Sequence, residues 1–502
     1  PIRNALCAFS VLLCALIFTS TFSFALEDTT VDEVVSGFEH KEPESSESDL
    51  HEILGGFEEG MDESENSEID DDILEGFDGE DEEVDTESPE DELKPSFLSL
   101  DGHFKLGSSL NIGHDSPEMG ETDWRGLSRL CGELQLDSKA KCAGSWQAFV
   151  SGKVSYDFAY TIKGRDEFTD EVLDNYEKEF ELREAYILGS LLENLDIKFG
   201  RQIVVWGKSD NIRVTDVLNP LDMREPGLTD IEDLRLPVAM TRLDYYFGDW
   251  SLTGIALHEI RFNKNPEYGS DFYPAKIPPP HEDKPGHGGD NTEYAIAISG
   301  VFTGWDIALY WADIYHDMSH VEIVSFGPPP QLEMKHARLT MYGVAFNTAM
   351  GNWLLKAEAA YFDGIKFYNT PTRTYSRVDT LAGIEYSGFD DTTISVEIVN
   401  RHIHNFDTFL KQPLDEACED EFQSVVRLTR DFLNETLTLT ILASTFGPTG
   451  QDGALQRISM EYDVTDALKV NGGVVLYHSG DLPELRNIGD NDRLFFEITY
   501  SF

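Results

Sequence analysis

Apolar and polar residues alternate along most of the chain from residue 97 onward. In residues 146–162 the even-numbered positions are apolar or glycine, from Trp146 to Ile162, whereas most odd-numbered positions are polar. Residues 353–361 and 437–443 follow the same period of two. This period is the pattern of β-strands that have one apolar and one polar face. The sequence therefore predicts an all-β protein over residues 97–502.

Short and long connections alternate between these predicted strands. Eight tight turns are indicated at DSKAKC, LLENL, FGDW, FTGW, AMGNW, GFDDT, FLNET and VTDAL. They define sixteen strands, and residues 97–112 and 491–502 add one strand at each end. Short turns on one side and long loops on the other are typical of outer-membrane barrels. We therefore predict a transmembrane antiparallel β-barrel of about 16–18 strands with an aqueous lumen. A large soluble all-β protein is the alternative.

The last predicted strand, RLFFEITYSF, favours the outer-membrane barrel over a soluble all-β protein. Its outward face would carry Leu494, Phe496, Ile498, Tyr500 and Phe502. A terminal strand that ends on an aromatic residue is typical of bacterial outer-membrane barrels. The predicted contacts of the barrel are therefore outer-membrane lipids and, through this strand, the barrel assembly machinery.

The first 96 residues have a different composition. Residues 1–25 have Arg3, a short apolar run and a small-x-small site at Ser23-Phe24-Ala25, the features of a cleaved signal peptide. Residues 26–94 contain 30 Asp and Glu against 2 Lys, within a chain whose net charge is −56. A segment this acidic cannot bury enough apolar surface to fold. We predict that residues 26–96 form a disordered periplasmic tail, and its charge argues against nucleic acid as a partner.

Three short repeats interrupt the acidic tail: VVSGFEH, ILGGFEE and ILEGFDG. Each has an aliphatic pair followed by Gly-Phe-acid. The predicted partner-binding residues are Val34, Val35, Phe38, Ile53, Leu54, Phe57, Ile73, Leu74 and Phe77. Three linked copies would bind a periplasmic or inner-membrane partner more tightly than one. A neutral duplicated spacer and binding back into the barrel lumen are the alternatives.

One long connection, residues 207–238, is rich in interleaved Arg and Asp and is predicted to fold into the lumen as a plug. The candidate lumen network is Arg201, Gln202, Trp206, Asp210, Arg213, Asp216, Asn219, Asp222, Arg224, Asp233, Arg235 and Arg242. We expect Asp216, Asp222, Asp230 and Asp233 to pair with Arg213, Arg224, Arg235 and Arg242. The segments VTDVL and LTDIEDL are predicted short helices. A solvated extracellular loop is the alternative.

Candidate chemistry is otherwise sparse. The sequence has no G-x-S-x-G, Walker, H-E-x-x-H or EF-hand motif, so no cofactor, metal or enzymatic activity is predicted. Cys131 and Cys142 flank the first predicted turn, which leaves a hairpin disulfide open.

The segments FGRQIVVWGKSD, DVLNPLD and EDLRLPVAMTRLDYYF resemble the Gram-negative outer-membrane proteins of domain-of-unknown-function family 1302. The resemblance covers residues 97–502 and is most specific over residues 199–246. It implies an outer-membrane barrel and, by association, a link to RND-type transporters and hydrophobic or lipid-like molecules. It also implies functional roles for Arg201, Gln202, Trp206, Gly207, Asn219, Pro220 and Asp222.

Together these features predict an outer-membrane transport barrel in an RND-linked system, whose acidic repeats dock a periplasmic or inner-membrane partner. A stand-alone porin for small solutes is one alternative. A surface hydrolase or adhesin that uses the long loops is the other.

Overall fold

The computed structural model describes residues 98–117, 122–142, 144–229 and 231–502, and it leaves out the side chains of residues 231 and 232. The predicted signal peptide, the acidic tail and its three repeats lie outside the described residues. Among the described residues, no helix is long and apolar enough to cross a membrane.

The described chain is built almost entirely of strands, in agreement with the alternating sequence pattern. In chain order they are β1 (Leu98–Asn111), β2 (Gly126–Lys141), β3 (Gln147–Asp157), β4 (Lys178–Leu192), β5 (Leu195–Gln202), β6 (Val238–Phe247), β7 (Trp250–Leu257), β8 (His281–Asp283), β9 (Glu293–Phe302), β10 (Trp305–Tyr315), β11 (His320–Ser325), β12 (Gln331–Lys335), β13 (Arg338–Met350), β14 (Trp353–Ile365), β15 (Tyr375–Phe389), β16 (Thr392–Ile403), β17 (Asp420–Phe432), β18 (Leu437–Phe446), β19 (Gly453–Thr465), β20 (Leu468–His478) and β21 (Arg493–Ser501).

Eighteen of these strands form one antiparallel sheet that closes on itself, because β1 pairs with both β2 and β21. The predicted all-β barrel and its strand number are confirmed. The remaining strands, β8, β11 and β12, form a small separate sheet from two of the long connections. The α-helices are short: α1 (Ala159–Lys163), α2 (Asp170–Val172) and α3 (Ile231–Leu234).

The tight turns all lie at one end of the barrel, where β1 begins and β21 ends. Seven turns fall where the sequence predicts them, but the first does not. Strand β2 continues through DSKAK to Lys141, and the chain turns after Cys142, where Gly144 has φ +70°. Cys131 therefore lies within β2 and Cys142 directly after its end, rather than on two paired strands, and both thiols are free. About eleven residues of extended chain hold them tens of ångströms apart, so no hairpin disulfide joins them.

The strand predicted over residues 146–162 is also too long. Strand β3 ends at Asp157, whose carboxylate accepts hydrogen bonds from the Leu130 and Ala159 backbone N–H groups, both at 2.9 Å. These bonds turn the chain, so Tyr160 is buried in helix α1 rather than placed on the barrel surface. A local carboxylate cap overrides the alternating pattern here.

The outer wall of the barrel is apolar, and aromatic rings gather near the tight turns. Phe104, Leu494 and Phe496 are among many exposed apolar side chains on the strands. Around the turns, rings from neighbouring strands contact each other. Examples are Trp250–Phe302, Phe302–Trp305 and Trp353–Tyr386, with centroids 4.3–5.4 Å apart. An apolar band bounded by aromatic residues is the surface of a barrel that sits in a bilayer.

Candidate functional site

The connection between β5 and β6, residues 203–237, crosses the inside of the barrel, and we call it the inward loop. One part contacts Glu358 on β14 and Glu397 on β16, and another part contacts Arg129 on β2 and Tyr477 on β20. These strands lie on different sides of the closed sheet. The predicted loop in the lumen is confirmed, and it leaves the wall at residue 203 rather than 207.

Asn219 fastens the two ends of the inward loop to each other. Its side chain is fully buried, at 0% exposure. The Asn219 Oδ1 atom accepts a hydrogen bond from the Val204 N–H at 2.8 Å, and Nδ2 donates to the Gln202 and Leu236 carbonyls at 3.2 and 2.9 Å. Gln202 is also fully buried and donates to the Met240 carbonyl at 3.3 Å. Only an amide can accept and donate in this way, so the position requires Asn.

Two buried carboxylates on the far wall, Glu358 and Glu397, hold residues 208–215 of the inward loop, and we call them the carboxylate clamp. Glu358 Oε1 and Oε2 accept four hydrogen bonds and Glu397 accepts three, at 2.5–3.1 Å. The donors are the backbone N–H groups of Lys208, Ser209, Asp210, Asn211 and Thr215 and the hydroxyls of Ser209 and Thr215. Hydrogen bonds to ionised acceptors are stronger than neutral ones. The sequence analysis missed both glutamates, although each occupies an inward position on an alternating strand.

Side chains of the same loop segment add ring and ion contacts to the wall. Trp206 is buried and stacks on Tyr310, with ring centroids 4.6 Å apart. Asp210 pairs with Lys356, and Lys208 pairs with Asp306 at 2.8 Å.

Gly207 has no room for a side chain. Its φ is +90°, and a Cβ there would lie 2.7 Å from Glu358 Oε1. Glycine is therefore required for the backbone to approach this carboxylate closely.

Asp216 joins two of the predicted arginines. Its carboxylate contacts Arg213 Nε at 3.2 Å and Arg235 Nε at 2.9 Å, and it accepts a hydrogen bond from the Trp206 N–H at 3.3 Å. Arg213 also donates to the Asn219 carbonyl at 2.7 Å. The predicted helix at VTDVL is wrong, because Thr215 and Asp216 are engaged with Glu358 and with other parts of the loop. The second predicted helix corresponds to α3.

Asp222 and Arg224 form a second ionic cluster with the wall. Arg224 contacts Asp222 at 2.5 Å and Glu179 on β4 at 2.9 Å. Burial alone would raise the pKa of Asp222, but the hydrogen bonds and charge of Arg224 outweigh it and hold that pKa below its ordinary value. Burial likewise acts to lower the pKa of Arg224, yet its two carboxylate partners raise it. Both groups therefore stay charged around neutral pH.

The remaining predicted residues separate into different environments. Arg201 contacts Glu259 at 3.0 Å and Glu181 at 3.5 Å, near the end of β5. Arg242 pairs with Asp244 on its own strand rather than with a loop aspartate. Asp233 is exposed into the lumen. Asp230 lies outside the described residues.

The tip of the inward loop, residues 225–227, reaches the wall opposite the carboxylate clamp. Glu225 contacts Arg129 at 2.7 Å and Arg493 at 3.6 Å, and the Pro226 carbonyl accepts a hydrogen bond from the Tyr477 hydroxyl at 2.7 Å. Arg493 is only 1% exposed and also pairs with Asp271 of the β7–β9 connection. We call these contacts of residues 225–227 the latch. They were not predicted from the sequence, in which the one local signal is the Glu-Pro-Gly turn.

Polar cavities remain beside and below the inward loop. One of about 440 Å³ lies along β1–β4 and one of about 380 Å³ along β17–β21, and both are lined by Lys105, Thr229, Asp233, Glu497 and Thr499. A third of about 220 Å³ lies on the β6–β10 side. Most lining side chains are charged or carry hydroxyls. Among the described residues no group of three or more His, Cys, Asp or Glu could hold a metal ion.

Comparison with known proteins identifies the family. The family described as "Protein of unknown function (DUF1302)" matches residues 125–502. The chain belongs to this family. The resemblance drawn from the sequence is thereby confirmed, and the matched region contains the whole inward loop and all but the first strand of this DUF1302 barrel. No curated protein matches the chain.

Solved structures that resemble this DUF1302 barrel include bacterial outer-membrane proteins. Pseudomonas aeruginosa OpdK with vanillate is 10% identical, with a TM-score of 0.47 over 81% of this chain and 98% of that chain. A BenF-like porin from Pseudomonas fluorescens Pf-5 is 13% identical, with a TM-score of 0.48 over 81% and 98%. Acinetobacter baumannii OccAB2 is 11% identical, with a TM-score of 0.49 over 82% and 99%.

The latch predicts a stability effect in the DUF1302 barrel. Glu225→Gln removes the carboxylate between Arg129 and Arg493, and we expect a loss of about 1–3 kcal/mol in the free energy of unfolding. The loss should be smaller than for a fully buried pair because Glu225 is partly solvated. Denaturant unfolding of the reconstituted barrel measures it. Glu461→Gln is the control, since Glu461 and Lys469 form a half-exposed pair 3.1 Å apart. An equal loss in both variants would contradict the latch.

Proposed function

We propose that this protein is an outer-membrane channel in which the inward loop narrows a polar lumen to a path for small hydrophilic solutes. The apolar outer wall and the aromatic belt support placement in a membrane. Loops and ordered charges inside a pore set which solutes pass. The observation that carries the proposal is the inward loop fixed between opposite walls beside polar cavities.

The chemistry of the lumen wall favours polar solutes over wholly apolar ones. The cavity of about 440 Å³ is lined by Lys105, Glu133, Lys153 and Glu497, together with arginines and hydroxyl groups. Charges of both signs hold water strongly, so an apolar molecule would gain nothing by entering this space. The small-solute porin is therefore the better-supported alternative for passage along the barrel axis.

The RND-linked role and a hydrophobic or lipid-like cargo are a second proposal, which rests on the family resemblance. In this proposal the tail lies in the periplasm and docks a transporter component through its three Gly-Phe-acid repeats. The repeats concentrate the apolar residues of an otherwise acidic segment, as short docking motifs do.

Conductance in planar bilayers tests the channel. We expect small, stable single-channel steps, because the inward loop fills part of the lumen. Swelling of protein-containing vesicles in small sugars and amino acids should then show a sharp size limit. An absence of steps together with an absence of swelling would overturn the channel.

A separate experiment tests the tail. A peptide covering residues 26–96 should recover specific periplasmic or inner-membrane proteins, and a peptide with Phe38, Phe57 and Phe77 replaced by alanine should recover them much less. Each repeat loses its largest apolar contact in the second peptide. Identical recovery by both peptides would show that the repeats do not dock a partner.

A further inference from the structure

Part of strand β4 lacks a strand partner on one side. Strand β4 pairs with β3 through residues 178–188, but it pairs with β5 only from Ala185 to Leu192. Among the described residues, no backbone–backbone hydrogen bond reaches the β5 side of residues 178–184; the Ile203 N–H donates instead to the Glu184 carboxylate at 3.1 Å. We call this stretch, with the side chains that face it, the β4 seam. The barrel wall is not closed by a strand ladder at the seam.

The seam arises because neighbouring strands are short. Strands β5 and β7 have eight residues each, whereas a membrane-crossing strand needs about 9–11. Strand β5 ends at Gln202, where the chain turns into the lumen as the inward loop. Ala185 is seven residues from Leu192, which is about 23 Å of strand and, at a tilt of about 40°, a height of about 18 Å above the tight turns. The apolar band is about 25 Å tall, so the residues next to Ala185 face its outer edge and Phe180 lies at the level of the lipid head groups.

Ion pairs close the inner side of the seam in place of backbone hydrogen bonds. Glu181 on β4 contacts Arg261 at 2.8 Å, Lys264 at 3.2 Å and Arg201 at 3.5 Å. Glu179 contacts Lys264 as well as Arg224 of the inward loop. Arg261 and Lys264 belong to the β7–β9 connection. Side-chain ion pairs can separate and reform without breaking a strand ladder, so opening this part of the wall breaks no backbone pairing.

The two sides of the seam have opposite character. On the outside Phe180 is 81% exposed and Phe199 is 55% exposed. On the inside Glu179 lines the cavity of about 440 Å³, together with Lys153 and Ser155. Unpaired backbone groups that face hydrocarbon are costly, so the open edge of β4 requires water or polar groups beside it.

We propose that the β4 seam is a lateral entry site for an amphiphile with a hydrocarbon chain and a polar head group. The head group enters the cavity between the separated ion pairs and contacts the unpaired edge of β4 near Phe180, while the chain remains in the bilayer against Phe199. This inference rests on the proposed membrane placement. It also gives a hydrophobic cargo a route that avoids the polar lumen axis.

Thiol labelling in proteoliposomes tests the seam. Cys131, Cys142 and Cys418 are replaced by serine, and one cysteine is introduced by Ser155→Cys. Ser155 pairs in register with Glu179 and lines the cavity beside the seam. Two reagents are compared: a phospholipid with a maleimide on its head group and a water-soluble maleimide. The control is Ser459→Cys, which lines the cavity along β17–β21, on a strand paired on both sides.

For each protein, the labelling rate with the lipid reagent is divided by the rate with the soluble reagent. We expect this ratio to be several-fold higher for the Ser155→Cys protein than for the Ser459→Cys protein. Glu179→Gln with Glu181→Gln should raise the Ser155→Cys rate further, because it removes the seam ion pairs. Asp313→Asn should not, although it removes an ion pair in which Asp313 and Arg338 are 2.7 Å apart. Its strand β10 is paired on both sides.

The outcomes separate the two proposals. If the soluble reagent labels both positions and the lipid reagent prefers neither, the seam is not an entry site, and the proposal of a polar lumen is supported. If the soluble reagent labels neither position, water does not reach the lumen. Both the proposed polar channel and the proposed entry site are then wrong.

Discussion

Replacing Glu358 and Glu397 together by glutamine is expected to release the inward loop and to raise the single-channel conductance several-fold. The two carboxylates accept seven hydrogen bonds from the loop. A glutamine keeps one acceptor oxygen and places an NH₂ group opposite loop N–H donors, where it cannot bond. Each unpaired buried donor costs roughly 1–3 kcal/mol. The unpaired donors should cost more free energy than the remaining contacts of the inward loop contribute, so the loop should leave the wall.

Paired measurements distinguish release of the loop from unfolding of the barrel. The double variant should keep the heat-modifiable migration of a folded barrel on gels while protease gains access to residues 207–215. Glu385→Gln is the matched control, since Glu385 contacts Lys356 at 3.5 Å on the neighbouring strand. No hydrogen bond joins Glu385 to the inward loop among the described residues. Conductance equal to wild type in the double variant would mean that the clamp does not hold the constriction.

The second large effect is expected at Asn219. Asn219→Ala leaves the Val204 N–H and the Gln202 and Leu236 carbonyls without partners in a fully buried place. We expect a loss of roughly 2–4 kcal/mol in the free energy of unfolding. Asn219→Asp should be as harmful as alanine, because a carboxylate accepts from Val204 but repels the two carbonyls. Denaturant unfolding and proteolysis of the loop measure both effects.

The control for Asn219 is an asparagine with one exposed contact. Asn487 donates to the Pro274 carbonyl at 2.6 Å between two outer connections. Asn487→Ala should change the free energy of unfolding by less than about 1 kcal/mol. If Asn219→Asp behaves like wild type, the amide donor is not what joins the two ends of the loop.

The barrel was predictable from the sequence because its signals are local. Alternation reports which strand face meets lipid, and Gly, Asn and Asp at tight turns set the strand ends. The first turn was misplaced for a local reason, and the end of β3 for a long-range one. Residues 137–141 carry polar side chains that suit an inward strand face as well as they suit a turn. The Asp157 cap depends on the Leu130 N–H of another strand.

The candidate site was predictable only in part. Asp216 pairs with Arg213 and Asp222 with Arg224, and proximity in sequence indicates such pairs. Glu358 and Glu397 bind the loop from more than 140 residues away, and only the strand register brings them there. Arg242 was assigned to the loop network, but its partner Asp244 is two residues away on the same strand face. The tail repeats stay a prediction.

A disulfide between the inward loop and the barrel wall tests most directly whether this loop lies within the barrel. A Cβ on Gly343 of β13 would lie 2.9 Å from Thr215 Cγ2 of the loop, which brings the two Cβ atoms within disulfide range. In a chain whose other cysteines are serine, Thr215→Cys with Gly343→Cys should oxidise in native membranes to a cross-linked form with altered gel mobility. Thr215→Cys with Tyr342→Cys should not, since Tyr342 faces outward and is exposed. If the first pair does not cross-link while both thiols react with soluble maleimide, the inward loop does not lie against β13 inside the barrel.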